Sequence, residues 1–175
     1  MIMQAKKWIL LPIALLPLLS ACAQSLQGTI RVKTLTQISP DSGAKIYLCH
    51  RVPQQQIDYS KISAKEKVVK EYELSLTGSA RQMSKHIKVL AKEYGINEKA
   101  GFDQYLADAA NEEAKLISAK DVQIRIADSA GYYKFTNITE GNYFVVIKSG
   151  NSNKSWYASI DIEKHSENYL DRVID

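Results

Sequence analysis

Cysteine is scarce in this 175-residue chain: Cys22 and Cys49 are the only two, which excludes a multi-disulfide scaffold. The three histidines, His50, His86 and His165, stand far apart, with no second histidine at helical spacing and no cysteine pair. That pattern argues against a metal site. The serines near His50 and His165 lack a G-x-S-x-G elbow, and no G-x-G-x-x-G or G-x-x-x-x-G-K-[ST] segment occurs, so neither nucleotide binding nor an elbow nucleophile is supported. Glu112 and Glu113 are adjacent on a predicted helix and so diverge, while Asp103 and Asp108 read as solvated positions. No catalytic, cofactor or metal residue is therefore assigned. Charge of one sign is nowhere blocked: the net charge of +4 falls to about +2 without Lys6 and Lys7, and the rest is interspersed. A nucleic-acid surface would need a clustered basic face. No apolar run approaches the ~20 residues of a spanning helix either.

What is present begins at the amino terminus. Lys6 and Lys7 precede a twelve-residue apolar stretch, Trp8 to Leu19, interrupted by Pro12 and Pro17. Its length and flanks match the hydrophobic core of a signal peptide. Leu19-Ser20-Ala21-Cys22 then resembles the lipobox of bacterial lipoproteins, in which an aliphatic and two small residues precede a cysteine. The resemblance implies that residues 1–21 are removed and that Cys22 carries lipid on its thiol; the alternative is an ordinary secretory signal cut after Ala21 or Ala23. Several acyl chains would hold the mature chain stably at a membrane, where one gives only marginal binding. Ala23 and Gln24 follow the cysteine with no aspartate next to it, which by resemblance to enterobacterial sorting favours the outer membrane, facing the periplasm, in a cell with two membranes. With Cys22 lipidated, Cys49 has no disulfide partner, leaving a buried thiol or an intermolecular link; burial is the reading favoured, because free cysteine is among the most buried residue types.

The 154 residues from Cys22 suit a single domain with a sizeable insertion. Thr29, Ile30, Val32, Thr34, Leu35, Thr36 and Ile38 read as strand, followed by the turn cluster Ser39 to Gly43 and a short run with Ile46 and Leu48 on one face. From Ile57 to Ser118 there is no proline, and apolar residues recur at helical spacing. Met83, Ile87, Leu90 and Tyr94 form one stripe, with Gly95 as C-cap; Phe102, Tyr105, Leu106, Ala109, Ala110, Glu113 and Ile117 form another, with Asn97 as candidate N-cap. A helix over Ile62 to Leu76 has a less regular set, Ile62, Val69, Tyr72 and Leu76. From Asp121 the period returns to two: Val122, Ile124 and Ile126 predict a half-buried strand, and further strands follow around Tyr133, Tyr143 and Trp156 to Ile162.

The segment Asp128 to Ile147 resembles carboxypeptidase-regulatory-like domains, relatives of the transthyretin and Cna-B folds. Asp128, Gly131, Tyr133, Phe135, Ile138, Gly141, Tyr143, Val145 and Ile147 fit that pattern, as do Gly28, Ile30, Pro40, Gly43, Ala44, Ile46 and Leu48. The resemblance implies an α+β fold: a transthyretin-like antiparallel β-sandwich with an inserted two- or three-helix segment. Its strands are expected at about 27–50 and 120–163 and the insertion at about 55–118, all within one mature domain over 22–175. About 70 residues between Leu48 and Val122 depart from the family pattern, and the particular role of the protein is expected there.

Three functional readings follow. The first is a membrane-anchored, non-catalytic binding or structural module, held through lipid on Cys22 and recognising an envelope protein. The second is the lipoprotein of a multiprotein envelope or secretion assembly, similar to the transthyretin-fold lipoprotein of type VI systems. The third, least supported, is a hydrolase with a dispersed site. Among ten tyrosines, Tyr132, Tyr157 and Tyr169 would form a sticky or glycan-stacking face if exposed; half-buried packing on the strands is the plainer expectation. The amphipathic helices could meet a partner helix or a membrane, but their mixed polar faces fit docking on the protein's own sandwich better.

Overall fold

The computed structural model describes residues 24–51, 57–77, 79–96, 101–164 and 167–174, without the side chains of 74–76, 80–84 and 86. Two sheets face each other. In the first, β1 (Gln24–Lys33) is central. Along one of its edges it pairs antiparallel with β5 (Tyr132–Ile138) and then β2 (Ile38–Pro40). Along the other it pairs in parallel with β8 (Glu167–Tyr169) and β9 (Arg172–Ile174). The second sheet is wholly antiparallel, in the order β4 (Gln123–Ile126), β3 (Lys45–His50), β6 (Gly141–Lys148), β7 (Ser155–Ile162). The fold is thus an α+β sandwich with one mixed sheet. The parallel strands after residue 163 were not expected from sequence, because each has three residues and too little alternation to read.

Period-two alternation builds the core between the sheets. Leu26 and Ile30 of β1, Ile46 and Leu48 of β3, Tyr133 and Phe135 of β5, and Tyr143, Val145 and Ile147 of β6 all point inward and are buried. Each such side chain stabilises the fold by roughly 1.5–3 kcal/mol. The turn residues earn their places by bonding. The Asp128 carboxylate accepts from the amides of Ala130 (2.8 Å) and Tyr132 (2.9 Å), closing the turn into β5. Gly131 has φ +75°, and a Cβ there would collide with the Ile30 carbonyl. Buried Asp41 accepts from the Gly150 and Asn151 amides (3.1 and 3.2 Å), tying together two loops at the same end.

Three helices lie between β3 and β4: α1 (Tyr59–Leu76), α2 (Ala80–Tyr94) and α3 (Gly101–Ile117). They cover the outer face of the second sheet, which makes Cys49, Phe144 and Val146 buried as well; Ile62 of α1 and Leu116 of α3 pack on these. This sheet therefore has two apolar faces, and β6 reads as a continuous run rather than an alternation. Gly95 ends α2 at φ +64°, and Ile96 N–H donates to the Ala91 carbonyl at 2.9 Å, the 6→1 bond of a Schellman C-cap. Asn97 lies outside the described residues.

Two expectations need correcting. On β4, Ile124 and Ile126 are 47% and 63% exposed, because β4 is an edge strand beyond the reach of the helices. On α1, the buried valine is Val68 rather than Val69. That helix changes partner along its length: Ile62 meets the sheet, whereas Val68 and Tyr72 meet the other helices. No single apolar stripe can serve both.

Candidate functional site

The sandwich has two chemically distinct ends. At one, β1 begins at Gln24, β5 runs into β6 through Thr139 and Glu140, and β3 ends at His50. His50 stacks against Tyr143, with ring centroids 4.9 Å apart, and the Tyr143 hydroxyl meets Thr139 Oγ1 at 2.8 Å. His50, Lys120, Asp121, Gln123, Thr139 and Tyr143 line a cleft of about 440 Å³ at this end. Cys22, two residues before Gln24, lies outside the described residues, as does His165; the side chain of His86 is likewise outside them. Among the described residues no group of three or more His, Cys, Asp and Glu side chains could hold a metal. Nor, among them, is any helix long and apolar enough to cross a membrane.

At the helix–sheet junction, sequence reasoning set aside the most interesting side chain. Glu113 of α3 is buried, 2.7 Å from Lys148 Nζ on β6 and 3.3 Å from Lys65 Nζ on α1, and it accepts a hydrogen bond from the Tyr157 hydroxyl of β7 at 2.8 Å. Burial by itself would raise its pKa; the hydrogen bonds from Lys148 and Tyr157, with the charge of Lys65, outweigh it and hold the carboxyl below the usual glutamate range. Glu66, next to Lys65 on α1, accepts from the Ser155 amide at 2.6 Å. There burial prevails over that hydrogen bond and the nearby lysines, so Glu66 is raised. The signal for Glu113 was its place in the apolar stripe of α3, a position where a charge survives only if partnered. What the arrangement does is fasten: one carboxylate ties two helices to two strands.

Above that clamp the helices form a head of their own. Tyr59 packs at a tilt against Phe144, with ring centroids 5.0 Å apart, toward the His50 end, whereas Glu66 reaches Ser155 at the opposite end of β7. α1 thus runs away from the Gln24 end, and its last ten residues carry on for ~15 Å past Glu66. Val68, Leu90, Ala91, Ile96, Phe102 and Tyr105 make a core there that contains no strand residue. A second, wider groove of about 720 Å³ runs along α1 and α3 between Lys61, Asp108, Glu112 and Lys115. Its charges are paired internally: Lys61 with Asp108 at 3.6 Å and Lys115 with Glu112 at 2.6 Å.

The three tyrosines singled out from sequence separate. Tyr157 lies under the helices as a ligand of Glu113. Tyr132 (39% exposed) and Tyr169 (62% exposed) share the solvent face of the first sheet, on strands flanking β1. Between them Gln27 accepts a hydrogen bond from the Tyr132 hydroxyl at 2.8 Å, while the Tyr169 hydroxyl donates to Glu167 at 2.7 Å. Cys49 is buried against Phe144 and Leu116, and desolvation pushes its thiol up to about 12. Burial, rather than an intermolecular link, is what the fold supplies.

These features define a two-sheet α+β sandwich carrying a three-helix head. No protein-family model matches the chain, and no curated protein matches it. Among solved structures it is similar to a candidate carbohydrate-binding protein from Pseudomonas aeruginosa, with TM-score 0.40 and 9% identity over 87% of this chain and 88% of that one. It is also similar to the minor pilin GBS52 of Streptococcus agalactiae (TM-score 0.38, 11% identity) and the major pilin RrgB of Streptococcus pneumoniae (0.36, 9%). The alignments cover 87% and 85% of this chain, but only 43% and 30% of the pilin chains. Likeness at this level leaves the assignment of the sandwich to the strand pairing itself.

Proposed function

We propose that the chain is a lipid-tethered, non-catalytic binding module that stands on a membrane by one end of its sandwich and presents its helical head from the other. The supporting observation is spatial. β1 starts at Gln24, two residues beyond Cys22, so a lipid on Cys22 sits within ~7 Å of the first strand residue. The head lies at the far end. Strands of eight residues span ~26 Å and the helices add ~15 Å, placing the tip ~40 Å from the anchor. A tether with so little slack sets orientation as well as location. Incorporation into a multiprotein envelope assembly fits the same geometry. The exposed pair Tyr132 and Tyr169 supports a second reading, stacking against sugar rings on the outer sheet face.

Replacing Cys22 with serine and fractionating cells tests the anchor: the wild type should pellet with membranes and incorporate labelled palmitate, and the variant should do neither. A serine variant that stays membrane-bound would sink the proposal. For the sugar reading, the double variant Y132A/Y169A should lose retention on an immobilised cell-wall glycan that the wild type binds.

A further inference from the structure

The face of α2 that looks away from the head's core is basic from Lys85 to Lys92. At 100° per residue, Leu90, Ala91, Tyr94 and Ile87 fall within one arc of about 100°, and these are the residues packed into the helical core. Lys85, Lys88, Val89 and Lys92 fall within the opposite arc of about 100°, and all four are exposed, Val89 by 55%. The one acidic residue of α2, Glu93, is held by Lys67 of α1 at 3.1 Å and so does not offset the row. Among the described residues no carboxylate pairs with Lys85, Lys88 or Lys92. On the neighbouring helices, by contrast, Lys61 and Lys67 of α1 and Lys115 of α3 each meet a carboxylate.

We propose that this stripe is a docking surface for a second protein that presents an acidic helical face, with carboxylates at one-turn spacing around an apolar residue. Charge complementarity identifies the sign of the partner. Val89, 55% exposed among the three lysines, adds an apolar contact that suits an amphipathic helix better than a polyanionic chain. A membrane is disfavoured because the apolar arc that would have to enter it is already buried in the head. Lysines suit this role, since their compact charges sit on flexible stems that follow a helix without demanding bidentate geometry. The inference goes beyond the tethering proposal and does not depend on lipid at Cys22.

The test uses the full-length chain in the cells that make it. A photo-crosslinking amino acid replaces Val89, and in a reference strain it replaces Ile124 on the sandwich edge. Position 89, and not 124, should give one discrete protein adduct. The triple variant K85E/K88E/K92E should reduce that adduct at least about tenfold, and reversing carboxylates to lysines on the captured protein's helix should restore it. Purified triple variant should keep the wild-type circular dichroism and melting temperature, showing that the head is intact. Vesicles containing 30% phosphatidylglycerol should not bind the purified protein at 150 mM salt. Any of four outcomes overturns the proposal: no adduct at 89, an adduct indifferent to the triple reversal, an adduct of the chain with itself, or vesicle binding abolished by the same reversal. A Cys22→Ser chain that still pellets with membranes and still gives the adduct would remove the tethering proposal while leaving this one standing.

Discussion

Glu66 and Glu113 stand on different helices within the same junction, yet their acidities move apart: Glu66 is raised and Glu113 is lowered. Glu113 is therefore a better acid folded than unfolded, so the stability it gives is full above the ordinary glutamate pKa and disappears as pH falls through its lowered value. Glu66 behaves oppositely, and protonating it as pH falls toward the ordinary value favours the fold. Melting temperature should thus rise slightly from pH 7 into the mildly acidic range and then drop below about pH 4. Glu66→Gln should flatten the rise and Glu113→Gln the drop. An unchanged acid limb in Glu113→Gln would refute this account.

Removing the clamp outright should cost more than removing any surface pair. Glu113→Ala leaves Lys148, Lys65 and the Tyr157 hydroxyl without their common acceptor. Because the two lysines are about a third exposed and can turn to water, the expected loss is about 2 kcal/mol rather than the full value for a dry ion pair. That corresponds to a melting temperature lower by roughly 4–8 °C. Lys115→Ala, which breaks only an exposed pair on α3, should change it by less than about 2 °C.

Cys49 should be silent toward thiol reagents. A thiol pushed up to about 12 and walled in by Phe144 and Leu116 carries almost no thiolate at pH 8. Ellman's reagent should label it only after urea is added. Cys49→Ser, which places a hydroxyl among apolar neighbours, should destabilise by about 1–3 kcal/mol, and Cys49→Ala by less. Rapid labelling of the native protein would contradict the burial.

Gly28 lies under the carbonyl of Leu170, where a Cβ would collide with it. Gly28→Ala should push the C-terminal strands off β1, at a cost of about 2 kcal/mol. Amide exchange should report this first at residues 167–174, with β6 and β7 still protected. Uniform exchange across both sheets would contradict it.

Arg125 guards an edge. Its Nε donates to the Lys134 carbonyl at 3.0 Å and one Nη to the Ile124 carbonyl at 2.8 Å, joining β4 to β5 across the side of the sandwich. With Ile124 and Ile126 exposed beside it, Arg125→Ala should leave an apolar strand edge open and promote concentration-dependent association, visible by light scattering. Full solubility of that variant would argue that the edge needs no guard.

Much of this architecture could be read in the residues. The Asp128–Gly131 turn, the inward row of Tyr133 and Phe135 and the C-cap at Gly95 follow from local chemistry, and each is present. What escaped depends on partners distant in sequence. Ile124 and Ile126 alternate as a buried strand does, and only the strand order reveals that nothing covers them. Glu113 fell in the apolar stripe of α3, but the partners that hold its charge come from α1, β6 and β7 and could not be read locally. The three-residue strands β8 and β9 exist only because β1 offers them a template.

That template has a temporal consequence. Among the described strands β1 is made first, and it is held on one side by residues 132–138 and on the other by residues 167–174. Most of its ladder thus closes loops of more than 100 residues, the slowest kind of closure. Until residues 132–138 are made, β1 has only the short β2 beside it, and its other edge stays open until residues 167–174 follow. The order in which β1 gains its neighbours therefore follows the order of synthesis: β2 first, then β5, and β8 and β9 after both.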